Sequence, residues 1–449
     1  MPDLQKRKNE TVDDVNQQLS SITSKGSTNI SKRRKGNIKT VKFTHYEQLV
    51  RLEKPFLIEE IPHLTALLPE DIRDLYDQLC DISDKKDIVP SCLREAITET
   101  LGRPFPDTYF QPPNPAINPT EAKEAHTMLQ SIKKIVQSAK ICRQSLRHEC
   151  SWNTLVHGPV LDLVFSSEPI NPPVLWQEDL QRPTRDLHVR WESTMSATIA
   201  GDSLPLIPNV DNQTQVPCSV SADTQVVQDR LEGTESSTPW SEPADLSQMH
   251  SRPSGKKIDY VAALEFGPLT AMGRTIHTIT NNMQWYGVGG SHRPHLNHTC
   301  YSPLKDSIIA LSVETKPDVT TSDPLLQLGL WVAAWHKRMF DIRYLLANNI
   351  LTYTGLQIEL RPRLVTVPLI QVVGHRWTIH FACDQGDRGV IYTGFEIGST
   401  WSLRDAFVLV SSLRAIRSWI ETRFRASMEM WFCNNEMPGV PCRGLEGST

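Results

Sequence analysis

With 449 residues, 39% hydrophobic and 22% charged, the chain is long enough for one large domain with appendages or for two, and its composition is that of a soluble globular protein. No stretch approaches the roughly 18 uncharged apolar residues of a membrane span, and nine cysteines without a C-x-x-C pair exclude a zinc ribbon or a thioredoxin-like centre. The formal net charge of −4 is unevenly spread, since residues 1–45 hold ten Lys and Arg against four Asp and Glu.

That basic arm is poor in large apolar residues, so it cannot offset its chain entropy and is expected to be disordered. Its opening, MPDLQKRKNE, lacks the apolar core of a secretory signal, and an intracellular location is expected. Lys32-Arg33-Arg34-Lys35 is a basic cluster of the nuclear-localisation kind, with a solvated tail as the plainer alternative.

From 46 to 139 the pattern predicts a helical extension. Pro69-Glu70-Asp71 opens a helix carrying Ile72, Leu75, Tyr76 and Leu79, and Thr120 is placed to cap another through Ala125, Met128, Ile132 and Ile135. Residues 201–256 have turn-forming composition and read as a disordered insertion, and 433–449 as a flexible tail. After the insertion, Lys257–Phe266 and Ser307–Lys316 read as strands, followed by a helix over Asp323–Leu346 with Ser322 as its cap. Strands near Val365–Val373 and Val390–Ile397 and a closing helix over Ser402–Phe424 complete the pattern.

The chemistry sits in SIIALSVETK. Period two puts Ile308, Ala310, Ser312, Glu314 and Lys316 on one face, so a carboxylate and an ammonium emerge together at the end of an apolar strand. Burying them is costly unless they pair or bind an ion. Asp259 opens the earlier strand, and pairing of the two strands would bring it to Glu314. Two carboxylates with the Thr315 carbonyl between them suit Mg²⁺ or Mn²⁺, and Lys316 would deprotonate or position a water, or neutralise charge, during phosphodiester hydrolysis. The bland alternative is a surface salt bridge. On the surface-like reading, truncating Lys316 costs about 0.5 kcal/mol of stability.

A series of segments narrows the choice: HECSWNTLVHGPVL, MSATI, KKIDYVAALE, LNHTCYSPLK, ALSVETK, LLQLGLWVAAW, LPLIQVVGHRW and IGSTWSL. In this order, over about 280 residues, they resemble the fungal PD-(D/E)XK nuclease-like family of the restriction-endonuclease-like superfamily, although SVETK stands where that family usually shows SIETK. The resemblance implies an α/β fold with a restriction-endonuclease-like core over about 140–432, a central mixed sheet flanked by helices. It makes Asp259 and Glu314 the acidic pair and Lys316 the motif lysine. It adds Glu149 from the first core helix, to hold a metal through a water or to orient Lys316. Gln327 follows on the helix after the motif, with a core hydrogen bond as its alternative role. The implied function is Mg²⁺-dependent cleavage of nucleic acid, DNA before RNA, without membrane association. Two rivals are a non-cleaving nucleic-acid-binding module and an accessory factor of a fungal specialised-metabolite gene cluster.

Other motifs carry less. His292, His295, His298 and Cys300 could ligate zinc or line the cleft, but Pro294 and a loop setting impose no tetrahedral order, and ordinary loop polarity is the first reading. Trp331 and Trp335 read as core, Gly287-Val288-Gly289-Gly290 is no phosphate loop, and Arg404, Arg414, Arg417, Arg423 and Arg425 read as a solvated helix face.

Overall fold

The computed structural model describes residues 39–61, 68–113, 119–166, 187–208, 250–286, 295–317, 323–354 and 363–433. The basic arm with Lys32-Arg33-Arg34-Lys35, the centre of the polar segment, Gly287–Gly290, His292, Ser322 and the tail after 433 lie outside these residues.

A seven-stranded mixed sheet forms the centre. In chain order its strands are β2 (Phe56–Glu60), β3 (Leu187–Ser193), β6 (Tyr260–Phe266), β7 (Ser307–Lys316), β8 (Val367–Val373), β9 (Arg376–Asp384) and β10 (Gly389–Ser399), and in space they run β2-β10-β9-β8-β7-β6-β3. Strand β7 pairs antiparallel with β6 and parallel with β8. It is buried from Ser307 to Thr315, as a strand covered on both faces must be, which explains its unbroken apolar run. A small second sheet joins β1 (Lys39–Val41), β5 (His250–Pro253) and β4 (Ile207–Pro208).

Helices cover the sheet. The long α7 (Pro324–Thr354) packs on β7 and β8, and Leu328, Leu330, Trp331 and Trp335 are fully enclosed, so the two tryptophans are core. Asp323 Oδ1 accepts from the Leu325 and Leu326 amides and Pro324 opens the helix, which makes Asp323 the capping residue. Helix α8 (Leu403–Trp419) lies on β10 and against α1 (Glu70–Ser83), α3 (Pro119–Gln144) and α5 (Gly158–Phe165). Ser402 caps it by accepting from the Asp405 amide at 3.2 Å. Helix α6 (Ala271–Tyr286) and the final α9 (Arg425–Cys433) meet near the chain's described end.

Three expectations change. The stretch 46–139 is not wholly helical, since β2 hydrogen-bonds to β10 as the edge strand of the main sheet, with short α2 (Arg94–Leu101) between α1 and α3 in the chain. The ends of the polar segment, β4 and β5, pair with one another. Helix α3 already begins at Pro119, which places Thr120 in its first turn. The arginines of the last helices divide: Arg414, Arg423 and Arg425 are exposed as expected, Arg423 beside Asp74 and Arg425 beside Glu429, whereas Arg417 bonds to Glu421 and the Val164 carbonyl and Arg404 lies over Phe105 and Tyr109.

Candidate active site

The site gathers where β6 begins and β7 ends. A register shift between Ala262 and Ala263 marks a bulge in the β6–β7 ladder. Beyond it, Asp259 donates its amide to the Val313 carbonyl at 3.2 Å, which carries Asp259 alongside the end of β7. The Asp259 carboxylate accepts through Oδ2 from both the Thr315 amide (2.8 Å) and the Thr315 hydroxyl (2.7 Å). Asp259 is thus oriented by the residue between Glu314 and Lys316.

Glu314 is 1% exposed. Its Oε1 accepts from Lys316 Nζ at 2.6 Å, while its Oε2 is enclosed without a partner. Lys316 Nζ also donates to the Thr315 carbonyl at 2.9 Å and lies 3.6 Å from Glu149 Oε1. Burial, and then the neighbouring Asp259 charge, push the Glu314 carboxyl up to about 8 in spite of Lys316. Burial works against the Lys316 charge, but Glu314, Glu149 and Asp259 outweigh it and raise the lysine above its usual range. Glu149 is raised by burial, the Lys316 ammonium opposing and Asp259 assisting.

Glu149 opens a helix that runs through α4 (Glu149–Trp152), a π-helical turn (Asn153–His157) and α5. It stands at the mouth, its side chain 38% exposed against 11% for Lys316. Gln327 is held elsewhere: its Nε2 donates to the Lys257 carbonyl at 2.9 Å, so it braces the chain two residues before Asp259. Of the residues named from the sequence, Asp259, Glu314, Thr315, Lys316 and Glu149 come together, and Gln327 supports them from behind. Asn153 and His157, both buried beside Thr315 in the π-helical turn, were not singled out from the sequence. Their four-residue spacing on the helix of Glu149, inside the family-like segment HECSWNTLVHGPVL, is the signal that could have drawn attention to them.

The donor set is all oxygen, the chemistry of a hard divalent cation, and the partnerless Glu314 Oε2 is a buried acceptor that a cation would satisfy. Among the described residues no three His, Cys, Asp or Glu side chains form a ready-made metal cage, so a cation here would draw on the Asp259 and Glu314 carboxylates with the Thr315 carbonyl. The Lys316 ammonium rests on two of those oxygens. His298 does not join a metal group: it is enclosed edge-on against Trp331 at 4.3 Å, and burial drives its imidazole down to about 3.

A mixed sheet ending in an Asp, a Glu-x-Lys and a helix-borne Glu defines a class, and the comparison with known families agrees. The family model of the PD-(D/E)XK nuclease superfamily matches residues 100–425, and the chain belongs to that superfamily. Its nucleases typically use divalent metals. No curated protein and no solved structure matches the chain. Among the described residues no helix is long and apolar enough to cross a membrane.

Proposed function

We propose that this protein hydrolyses phosphodiester bonds in nucleic acid, DNA before RNA, with Mg²⁺ or Mn²⁺ held by Asp259, Glu314 and the Thr315 carbonyl. The observation that carries the reading is the Glu314 side chain, kept in an enclosed place with one oxygen unpartnered beside a second carboxylate and a lysine. A fold that only needed a stable strand end would place an apolar residue there, because a buried ion pair seldom repays its desolvation.

When bound, the cation would polarise the phosphoryl group and lower the pKa of a coordinated water. The chain's own residues then have separable tasks. Lys316 keeps its ammonium form, which suits it to hold the attacking water and to offset charge gathering on the phosphoryl oxygens. Glu149, 3.6 Å from Nζ, would steer that ammonium were Glu314 to hold a cation. Gln327 keeps the approach to Asp259 in place. The water oxygen bonds to phosphorus as the bond to the leaving sugar oxygen breaks; one of the water's protons ends on that oxygen and the other stays on the phosphate or passes to solvent. Exposed Arg147 and His148 just before Glu149, and Lys257 just before Asp259, give the rim basic groups for the backbone of the substrate.

One observation favours a second reading. Lys316 already covers Glu314 Oε1 and the Thr315 carbonyl, as it would in a domain that binds nucleic acid without cutting it. An accessory role in a specialised-metabolite gene cluster has no structural observation behind it. Calorimetry with Mn²⁺ separates the first two readings. Wild type is expected to bind one ion and the Asp259→Asn/Glu314→Gln double variant none. Equal affinity in the two proteins would remove the cation from the site.

A further inference from the structure

Behind Asp259 lies a buried chain of polar groups that links four distant parts of the sequence. His157 Nε2 is 3.1 Å from the Gly374 carbonyl, and its Nδ1 is 2.9 Å from Asn153 Oδ1. The Thr315 hydroxyl is 2.7 Å from that same Oδ1 and 2.7 Å from Asp259 Oδ2. Gly374 returns to the site as well, since its amide donates to the Lys316 carbonyl at 2.8 Å. Asn153 and His157 are buried in the π-helical turn, and such turns recur where a helix must re-aim side chains.

Counting protons fixes the direction of the chain. A carbonyl only accepts, so His157 Nε2 carries a proton. The ring lies between Trp152 (stacked, 5.7 Å) and Trp377 (edge-on, 5.9 Å), and burial drives it down to about 4, so it is neutral and its Nδ1 is an acceptor. The Thr315 hydroxyl has one proton, and Asp259 Oδ2 takes it. Asn153 must then donate to both His157 Nδ1 and Thr315 Oγ1, which the two hydrogens of one Nδ2 can do and an Oδ1 cannot. In the observed rotamer Oδ1 occupies the spot between those two atoms and Nδ2 faces Met195 Sδ at 3.7 Å; rotation of the amide by half a turn about χ2 exchanges the two.

We infer that Asn153 and His157 are positioning residues for Asp259, forming a one-way relay in which His157 Nε2 donates to Gly374, Asn153 Nδ2 donates to His157 Nδ1 and Thr315 Oγ1, and Thr315 Oγ1 donates to Asp259 Oδ2. The relay commits Oδ2 to the protein and so turns Oδ1 toward the cation. Its purpose rests on the metal reading above, whereas its direction does not. Residues that orient metal ligands in this way typically contribute ten- to a hundredfold in affinity.

The test has two arms on the full-length protein. Nitrogen-15 NMR of the His157 ring at neutral pH should show a neutral imidazole protonated at Nε2, and a proton on Nδ1 would overturn the relay. In Asn153→Asp the new carboxylate only accepts, so His157 is expected to become doubly protonated near neutral pH and Mn²⁺ affinity by calorimetry to fall about tenfold or more. As a check against misfolding, Thr315→Val should lose Mn²⁺ affinity at a near-native melting temperature, and Thr315→Ser should restore it. Unchanged affinity in both Asn153→Asp and Thr315→Val, with wild type binding Mn²⁺, would reduce the chain to packing. A wild type that shows the Nε2 proton but binds no Mn²⁺ would instead overturn the metal reading and, with it, the relay's purpose.

Discussion

Lys316 illustrates how far single residues could be read in advance. Its place on the face of Glu314 follows from strand periodicity, whereas the approach of Asp259 hung on the pairing of the two strands, which the ladder of β6 and β7 supplies. Its energetic role did not follow, because the surface-like expectation overlooked what it neutralises: its side chain is 11% exposed and pairs with a buried carboxylate. Lys316→Met keeps the apolar stem and removes the charge, leaving Glu314 unpaired. We expect cleavage to fall a hundredfold or more and stability to fall by about 1–3 kcal/mol, more at pH 8 than at pH 6. The sign follows from Glu314: its folded-state pKa is already raised and rises further without the lysine, so stability is lost as pH climbs and the carboxyl ionises. Thermal melts at the two pH values check it. Metal affinity should run the other way. A cation displaces the Glu314 proton, so Mn²⁺ affinity is expected to rise roughly tenfold per pH unit up to about pH 8 and then level off, read by calorimetry across that range. Asn153 and His157 were not legible, since a contact between residues 162 apart in the chain leaves no periodic trace.

At the scale of elements, those with a strong pattern were found and those defined by their neighbours were not. Strand β7 shows in its apolar run, and the helices α1 and α8 follow their hydrophobic periods. Strand β9 was missed because the two-residue turn Gly374-His375 between paired Val373 and Arg376 was not recognised, although Gly374 with φ 55° fits the first position of a hairpin turn. Strand β2 was missed because only pairing with β10, over 300 residues away, makes it a strand. Gly398 in β10 is another feature that only the assembled fold explains. Its φ is 134°, and a Cβ there would lie 2.5 Å from the Leu409 amide nitrogen of α8. Gly398→Ala therefore forces strand and helix apart. We expect a loss of about 2–4 kcal/mol from overpacking and backbone strain together, seen as a lower denaturant midpoint.

For the whole molecule, the pattern of strands and helices pointed to an α/β protein, and the class with its central mixed sheet was legible through the ordered segments that resemble the PD-(D/E)XK family. The fold also stores an acid sensitivity that the sequence conceals. Burial holds His157 and His380 down to about 4 and His298 and His336 down to about 3. The unfolded chain binds these protons near pH 6.5, so stability is full above that value and is lost as pH falls toward the depressed range. At about 1.4 kcal/mol for each tenfold change in proton affinity, four such groups should lower stability by several kcal/mol between pH 6.5 and pH 4. Chemical denaturation at the two pH values would show it, and a flat profile would mean that these rings titrate freely. The central claim, that Asp259, Glu314 and Lys316 form a metal-dependent phosphodiesterase centre, is tested most directly by cleavage itself. Labelled single- and double-stranded DNA and RNA are incubated with wild type and with Glu314→Gln, with Mg²⁺ or Mn²⁺ and with a chelator. Fragments are expected from the wild type with a divalent cation, and none with the chelator or from Glu314→Gln. Cleavage that persists in Glu314→Gln, or a folded wild type that cuts no nucleic acid with either ion, would contradict the claim.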